Sequence, residues 1–204
     1  KAYAWRWALC HLLLNNPNYS RRFRELGMNM MAEKTDSFER AFGKSADQIS
    51  FEYDQFVANF DNGYRADLCA WQWCDDAREI DSRDCFTVLA KAGWQATGLT
   101  MQQGQFYDFV GPAVKDDSGN QRPPAWKISS LTGEVSPDGD SRSYGKLIGV
   151  ILDGYQLGEP FEIGTRKFKF RSPASGQLYV RCHDRWNELD DNEGEILVYV
   201  RKSE

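Results

Sequence analysis

Histidine is scarce in this chain: His11 and His183 are the only two among 204 residues. They lie far apart and no HExxH occurs, so a histidine-built zinc centre has no basis. Cysteine offers little more. Cys10, Cys69, Cys74, Cys85 and Cys182 are odd in number, irregular in spacing and without a CxxC pair, which speaks against both a disulfide framework and thiolate zinc. Ordinary buried thiols are expected, with one bridge from Cys69 to Cys74 or to Cys85 left open. No apolar run approaches the roughly 20 residues that span a bilayer, the longest stretches being 12–14 and 147–152, so no membrane span is expected. Positive charge is in deficit, with 25 Lys and Arg against 30 Asp and Glu. A net charge of −5 repels nucleic acid and anionic membrane rather than recruiting them.

What is present falls into two patterns. From Ala2 to about Phe60 apolar residues recur at helical spacing, as in Trp5, Leu9, Leu12 and Leu13, then Ile49, Tyr53, Phe56 and Phe60. Pro17, after Asn15-Asn16, ends the first helix, while Asp36 with Glu39 and Ser45 with Gln48 read as capping boxes. The charged run Arg21, Arg22, Arg24, Glu25 reads as a solvated helix face. Near Asp61-Asn62-Gly63 the helical spacing stops, and alternation with Gly, Pro, Asp and Ser punctuation takes over. Runs at 85–90, 146–152, 166–170, 176–181 and 195–200 read as strands separated by turns, without helices between them. The expected fold class is therefore α+β as two domains, a helical bundle over 1–61 and an antiparallel β-sandwich over 62–204. The polar, Gly- and Pro-rich stretch from Gln102 to Tyr144 reads as a long functional or mobile loop.

Between the last two strands, Asp184, Glu188, Asp190, Asp191, Asn192 and Glu193 fall within ten residues. Calcium takes six to eight hard oxygens from carboxylates, amides and backbone carbonyls, and a strand-to-strand loop of this composition supplies all three. The plainer interpretation is a hydrophilic hairpin in which Asp-Asp-Asn-Glu-Gly only makes the turn. The spacing is not that of an EF-hand. His183 beside Asp184 does not make a catalytic pair, because adjacent strand residues point to opposite faces. No nucleophile with a base partner can be named, so no enzyme is expected within the chain.

Four segments in order then resemble the bacterial calcium-dependent galactophilic lectins, over roughly 63–200. Asp84 to Gly98, containing Ala92-Gly93-Trp94, is similar to that family's strand ending in an AGW-x-x-x-G turn. Pro137-Asp138-Gly139 resembles its sugar loop, Gly145-Lys-Leu-Ile-Gly-Val-Ile its GALxxKIG strand, and Arg181 to Gly194 its ND-x(6)-NNSG calcium loop. The resemblance implies a galactose-binding-like jelly roll that holds Ca2+ and binds carbohydrate through hydroxyls on the ion. It implies Asp184, Asp191 and Asn192 as side-chain ligands, Glu188 and Thr97 as carbonyl ligands, and Asp138, Asp184 and Asn192 as sugar contacts. Asp191 stands in place of an Asn and would tighten the ion. Ser136 and Gly139 stand where the galactose binder has His and Gln, so galactose itself is not implied. Trp94, Tyr107 and Trp126 are the aromatics considered for stacking on a sugar, against ordinary core packing.

Residues Tyr3 to Leu14, with Arg22-Phe-Arg-Glu-Leu and Phe38-Glu-Arg-Ala-Phe-Gly, more faintly resemble the last helices of gluzincin-type metallopeptidase-like domains. The resemblance implies an upstream protease-like domain and a larger extracellular or cell-envelope parent whose signal segment precedes Lys1. It also implies an alternative role, as a non-catalytic interaction domain attached to that neighbour.

Overall fold

The computed structural model describes residues 2–115, 118–128, 131 and 133–203. The fold is α+β, and the chain divides into two compact units, Lys1–Ala70 and Trp71–Glu204. The first holds α1 (Ala2–Asn15), α2 (Ser20–Met31), α3 (Phe38–Phe42) and α4 (Ala46–Ala58). Leu13, Tyr19, Leu26, Phe42 and Ile49 form its core. Helix α1 stops at Asn15 as Pro17 demands, since proline removes an amide and its ring clashes with the preceding turn. Asn16, Asn18 and the Tyr19 hydroxyl then all donate to the fully buried Glu52 of α4, which pins the corner. The cap of α3 is Ser37 rather than Asp36, its hydroxyl accepting from the Arg40 amide at 3.1 Å. Ser45 caps nothing, and its hydroxyl accepts from Arg22 instead. Arg21 and Glu25 do face water, as an i,i+4 pair. This unit extends past Gly63 because Tyr64 packs edge-on against Phe56 and donates to the Cys69 carbonyl.

The second unit is built from β1 (Arg78–Glu79), β2 (Asp84–Leu89), β3 (Gln95–Met101), β4 (Phe106–Val110), β5 (Val114–Lys115), β6 (Gln121–Arg122), β7 (Trp126–Lys127), β8 (Glu134–Val135), β9 (Lys146–Asp153), β10 (Gln156–Leu157), β11 (Phe161–Glu162), β12 (Arg166–Arg171), β13 (Gly176–His183) and β14 (Glu195–Lys202). One sheet runs β1-β3-β13-β9-β10, with β11 also on β9, and the other runs β12-β4-β14-β2. Apart from the parallel β1–β3 pair, the strands of both sheets are antiparallel. Val88, Phe109, Ile196 and Val198 from the second sheet share one core with Leu99, Leu147, Ile151, Leu178 and Val180 from the first. That is a sandwich. In β2 and β14 apolar side chains alternate inward with polar ones outward, whereas β9 and β13 are buried nearly throughout and carry almost unbroken apolar runs.

The stretch from Gln102 to Tyr144 is not a long loop. It contains β4, a central strand whose Tyr107 and Phe109 are fully buried, and the β5–β6 and β7–β8 hairpins. Its Gly-Pro and Pro-Pro pairs punctuate turns between short strands rather than one open excursion. In β12 the Lys-Phe-Lys-Phe alternation is broken by a bulge. Lys169 there takes φ 52°, Phe168 is exposed and Phe170 packs on the core. No disulfide joins the cysteines among the described residues, and only Cys69 and Cys182 are buried.

Candidate functional site

The acidic loop leaves β13 at His183 and enters β14 at Glu195, passing from one sheet to the other at one end of the sandwich. Three neighbouring segments hold it. The Ala90 amide donates to the Gly194 carbonyl, Lys127 and Glu193 exchange two backbone hydrogen bonds of 2.9 Å, and the Gly145 amide donates to the His183 carbonyl. Gly145 has φ 76°, and a side chain there would meet Val135 at 2.8 Å, so only glycine serves this turn.

Within that frame Asp184 and Asn192, near the two ends of the loop, are buried to 3% and 2% exposure. One Asp184 oxygen, Oδ1, accepts from the Arg185 amide at 2.8 Å, and Asn192 Nδ2 donates to the Ala90 carbonyl at 3.4 Å. Asp190 and Asp191 are exposed at the turn. Glu188 pairs its carboxylate with Arg185 at 2.9 Å, and Arg185 also donates to the Tyr144 hydroxyl. Those two partners, Glu188 first, hold the Arg185 guanidinium above its ordinary range. His183 is structural, its Nδ1 lying 2.8 Å from the Ser143 carbonyl and its ring stacked on Tyr144.

Thr97 is not part of this cluster. It sits inside β3 at the register shift against β13, and its hydroxyl donates to the Leu178 carbonyl at 2.8 Å. Leu178 lies six positions before Asp184, which follows the end of β13, so roughly 20 Å of extended chain separates them. The Ala92-Gly93-Trp94 turn lies between β2 and β3, so the segment that approaches the loop is Ala90, not Thr97. Asp138 lies one strand over from the start of the loop, since it bridges to Lys146, which pairs with His183. Its carboxylate, however, is committed to Thr165, taking the amide at 2.7 Å and the hydroxyl at 2.8 Å. Trp94, Tyr107 and Trp126 are all at or below 5% exposure, so none presents a face to a sugar. Among the described residues no three His, Cys, Asp or Glu side chains gather as a metal cluster. A calcium site here would instead combine carboxylates with an amide and a carbonyl.

Arg181 went unnoticed in the sequence. It is 2% exposed, its Nη2 donates to the Asp184 carbonyl at 2.6 Å and its Nε to the Cys182 carbonyl at 3.0 Å. Its guanidinium lies 3.6 Å from the Trp186 ring centre and 5.7 Å from that of Trp94. An arginine in the middle of an apolar strand was the available signal, because a charge in that setting is buried only when it is paired or hydrogen-bonded. Next to it, burial pushes the Cys182 thiol up to about 12, which leaves it inert.

No family model matches the chain, and no curated protein matches it significantly. Among solved structures it is similar to one described as "EclA N-terminal domain; PllA-like lectin", at 20% identity over 58% of this chain and 95% of that one, with a TM-score of 0.41. A likeness of that size carries nothing further about this chain.

Proposed function

We propose that the Trp71–Glu204 unit is a calcium-dependent carbohydrate-binding module of a larger secreted or envelope protein, acting without catalysis. The observation that carries this reading is the burial of Asp184 and Asn192 near opposite ends of one acidic loop. The residues present fit a hard cation. Asp184, Asp191 and Asn192 would hold it with side-chain oxygens and Glu188 with its carbonyl, leaving positions of a six- to eight-oxygen shell for hydroxyls. When bound, calcium supplies the charge to which vicinal sugar hydroxyls coordinate. Arg181 fixes the backbone at Asp184, so the first ligand is held before anything binds.

The test is titration calorimetry with calcium on the wild type and two neighbouring variants. Asp191→Ala is expected to weaken calcium by a factor of about 100, since a charged ligand is lost. Asp190→Ala, outside the ligand set, should change it less than about threefold. Equal losses would mean a different register, and no calcium heat in the wild type would end the reading. A glycan array run with calcium and with EDTA then tests the sugar.

One observation favours a second reading, a structural or interaction domain docked to a protease-like neighbour. On the helical unit Trp5, Trp7 and Phe60 are 54%, 49% and 53% exposed around a groove of about 300 Å³. Exposed aromatic clusters of this kind mark interaction surfaces. Calcium binding with no glycan retained would favour it.

A further inference from the structure

The outer face of the β12-β4-β14-β2 sheet carries a groove of about 410 Å³, lined by Ser82, Arg83, Asp108, Pro112, Tyr199 and Arg201 among others. It is remote from the acidic loop. Strand β14 enters from the loop at Glu195 and reaches Arg201 six residues later, roughly 20 Å further on. Its volume lies within the range of small-molecule sites.

Two guanidinium groups are oriented in it by different means. Arg201 is fixed through Nε and Nη2, which donate to Asp108 Oδ2 at 3.2 and 3.0 Å, and this leaves Nη1 for a ligand. Asp108 is itself immobilised. It is 6% exposed, and its Oδ1 accepts from the Lys169 amide at 2.9 Å and the Ser203 hydroxyl at 2.8 Å. With both of its oxygens engaged, Asp108 acts as a strut for Arg201. Arg83 is oriented by stacking, its guanidinium 4.5 Å from the Tyr199 ring centre. Stacking restrains the planar fork without using its N–H donors. The acidic residue next to Arg83, Asp84, is already committed to Arg78 and to the Asp81 amide. Against a net chain charge of −5, this groove carries a local excess of one positive charge, from Arg83 and Arg201 less Asp108. The unengaged fork of Arg83 matches a carboxylate, which accepts hydrogen bonds two at a time, and Arg201 Nη1 adds a further charged donor. The Ser82 hydroxyl adds a neutral donor beside them, and Val110 and Pro112 line the apolar side.

We propose that this groove is a second binding site, for the carboxylate of an acidic saccharide of the uronic acid class. That the ligand is anionic rests on the two arginines; that it is a saccharide rests on the carbohydrate-binding reading above.

The test is amide NMR of the whole chain in EDTA, so that the calcium loop takes no part, titrated separately with glucuronate, glucose and acetate. Glucuronate should produce saturable shifts at Ser82, Arg83, Tyr199 and Arg201, acetate should bind at least tenfold more weakly, and glucose should produce none. Arg83→Ala should weaken glucuronate at least tenfold, and the exposure of this side chain makes the fold insensitive to the change. Arg83→Lys should recover only part of the loss, because an ammonium cannot reproduce the fork. Absence of saturable glucuronate shifts at these residues, or an unchanged affinity in Arg83→Ala, overturns the site. Acetate as tight as glucuronate overturns the saccharide assignment. None of these results bears on calcium binding, which is measured without EDTA.

Discussion

The two sheets of the sandwich share one core but differ in what covers their outer sides. On the β3-β13-β9 sheet the outer side is buried under aromatic rings. Trp71 packs on the fully buried Tyr179 with ring centres 4.9 Å apart, Trp94 and Trp73 stack on Trp71 at 5.8 and 6.1 Å, and Trp186 covers Arg181. On the β4-β14-β2 sheet the outer side is open. Cys85, Thr87 and Leu89 of β2 and Leu197 and Arg201 of β14 are exposed there. The difference teaches that the indole layer replaces, for one sheet, the water that the other sheet meets. It also anchors the acidic loop at its Asp184 end, which emerges from the covered sheet and whose carbonyl accepts from a guanidinium packed under the same aromatics.

The largest effect is expected where the cover is removed. Trp71 is 1% exposed and touches Tyr179, Trp73 and Trp94 at once. Truncating a buried tryptophan costs about 3–5 kcal/mol, so Trp71→Ala should shift the urea midpoint of the β unit strongly while leaving the helical unit's transition in place. Near-ultraviolet circular dichroism reports the first and far-ultraviolet helicity the second. A cost below about 1 kcal/mol would mean that the indole layer is ornamental and the two sheets are alike.

Much of this architecture could be read in the sequence, and the exceptions have physical causes. The strands that alternate or run apolar, β2, β9, β13 and β14, were legible, as was the break between helical and alternating patterns. Strand β4 was not, because Phe106-Tyr-Asp-Phe-Val places a carboxylate at its centre. That carboxylate faces outward and is bound by Arg201, Ser203 and the amide of the β12 bulge, partners 61 to 95 residues away that no local pattern reveals. The indole layer was hidden for the same reason: 71–73 belong to no regular strand, and their burial depends on Tyr179. Of the candidate site, the acidic loop was legible as composition, whereas the burial of Asp184 and Asn192 within it was not. Thr97 stands apart from the loop because β3 begins at Gln95, directly after the Gly93-Trp94 turn, and carries Thr97 into the sheet.

On the open sheet the polar strut should matter more than the apolar residues around it. Burial alone would raise the Asp108 carboxyl, but hydrogen bonds from the Lys169 amide, Ser203 and Arg201 outweigh it and hold the group below the ordinary carboxylate range. A depressed carboxylate adds stability that is complete above the unfolded value near 4 and is lost as pH falls through the folded one. Asp108→Asn should therefore cost about 1–3 kcal/mol at neutral pH, the range for hydrogen bonds to a charged group, and should flatten the acid limb of a pH–stability curve below about pH 4. An unchanged acid limb would transfer that sensitivity to other depressed carboxyls, such as Asp84, which is held down chiefly by Arg78.

The smallest effect belongs to the apolar residues that the open face leaves in water. Leu197 is 36% exposed and pairs across the strands with Thr87. Replacement by threonine keeps strand propensity and removes only partly solvated surface, so Leu197→Thr should stay within about 0.5 kcal/mol of the wild type in urea unfolding. The sign of any excess is informative. A loss above about 2 kcal/mol is the size of a buried side chain, and would mean that Leu197 is covered in solution by a second copy of the chain. Repeating the measurement across a hundredfold range of protein concentration would then separate the cases, because stability drawn from association rises with concentration and stability drawn from a single chain does not.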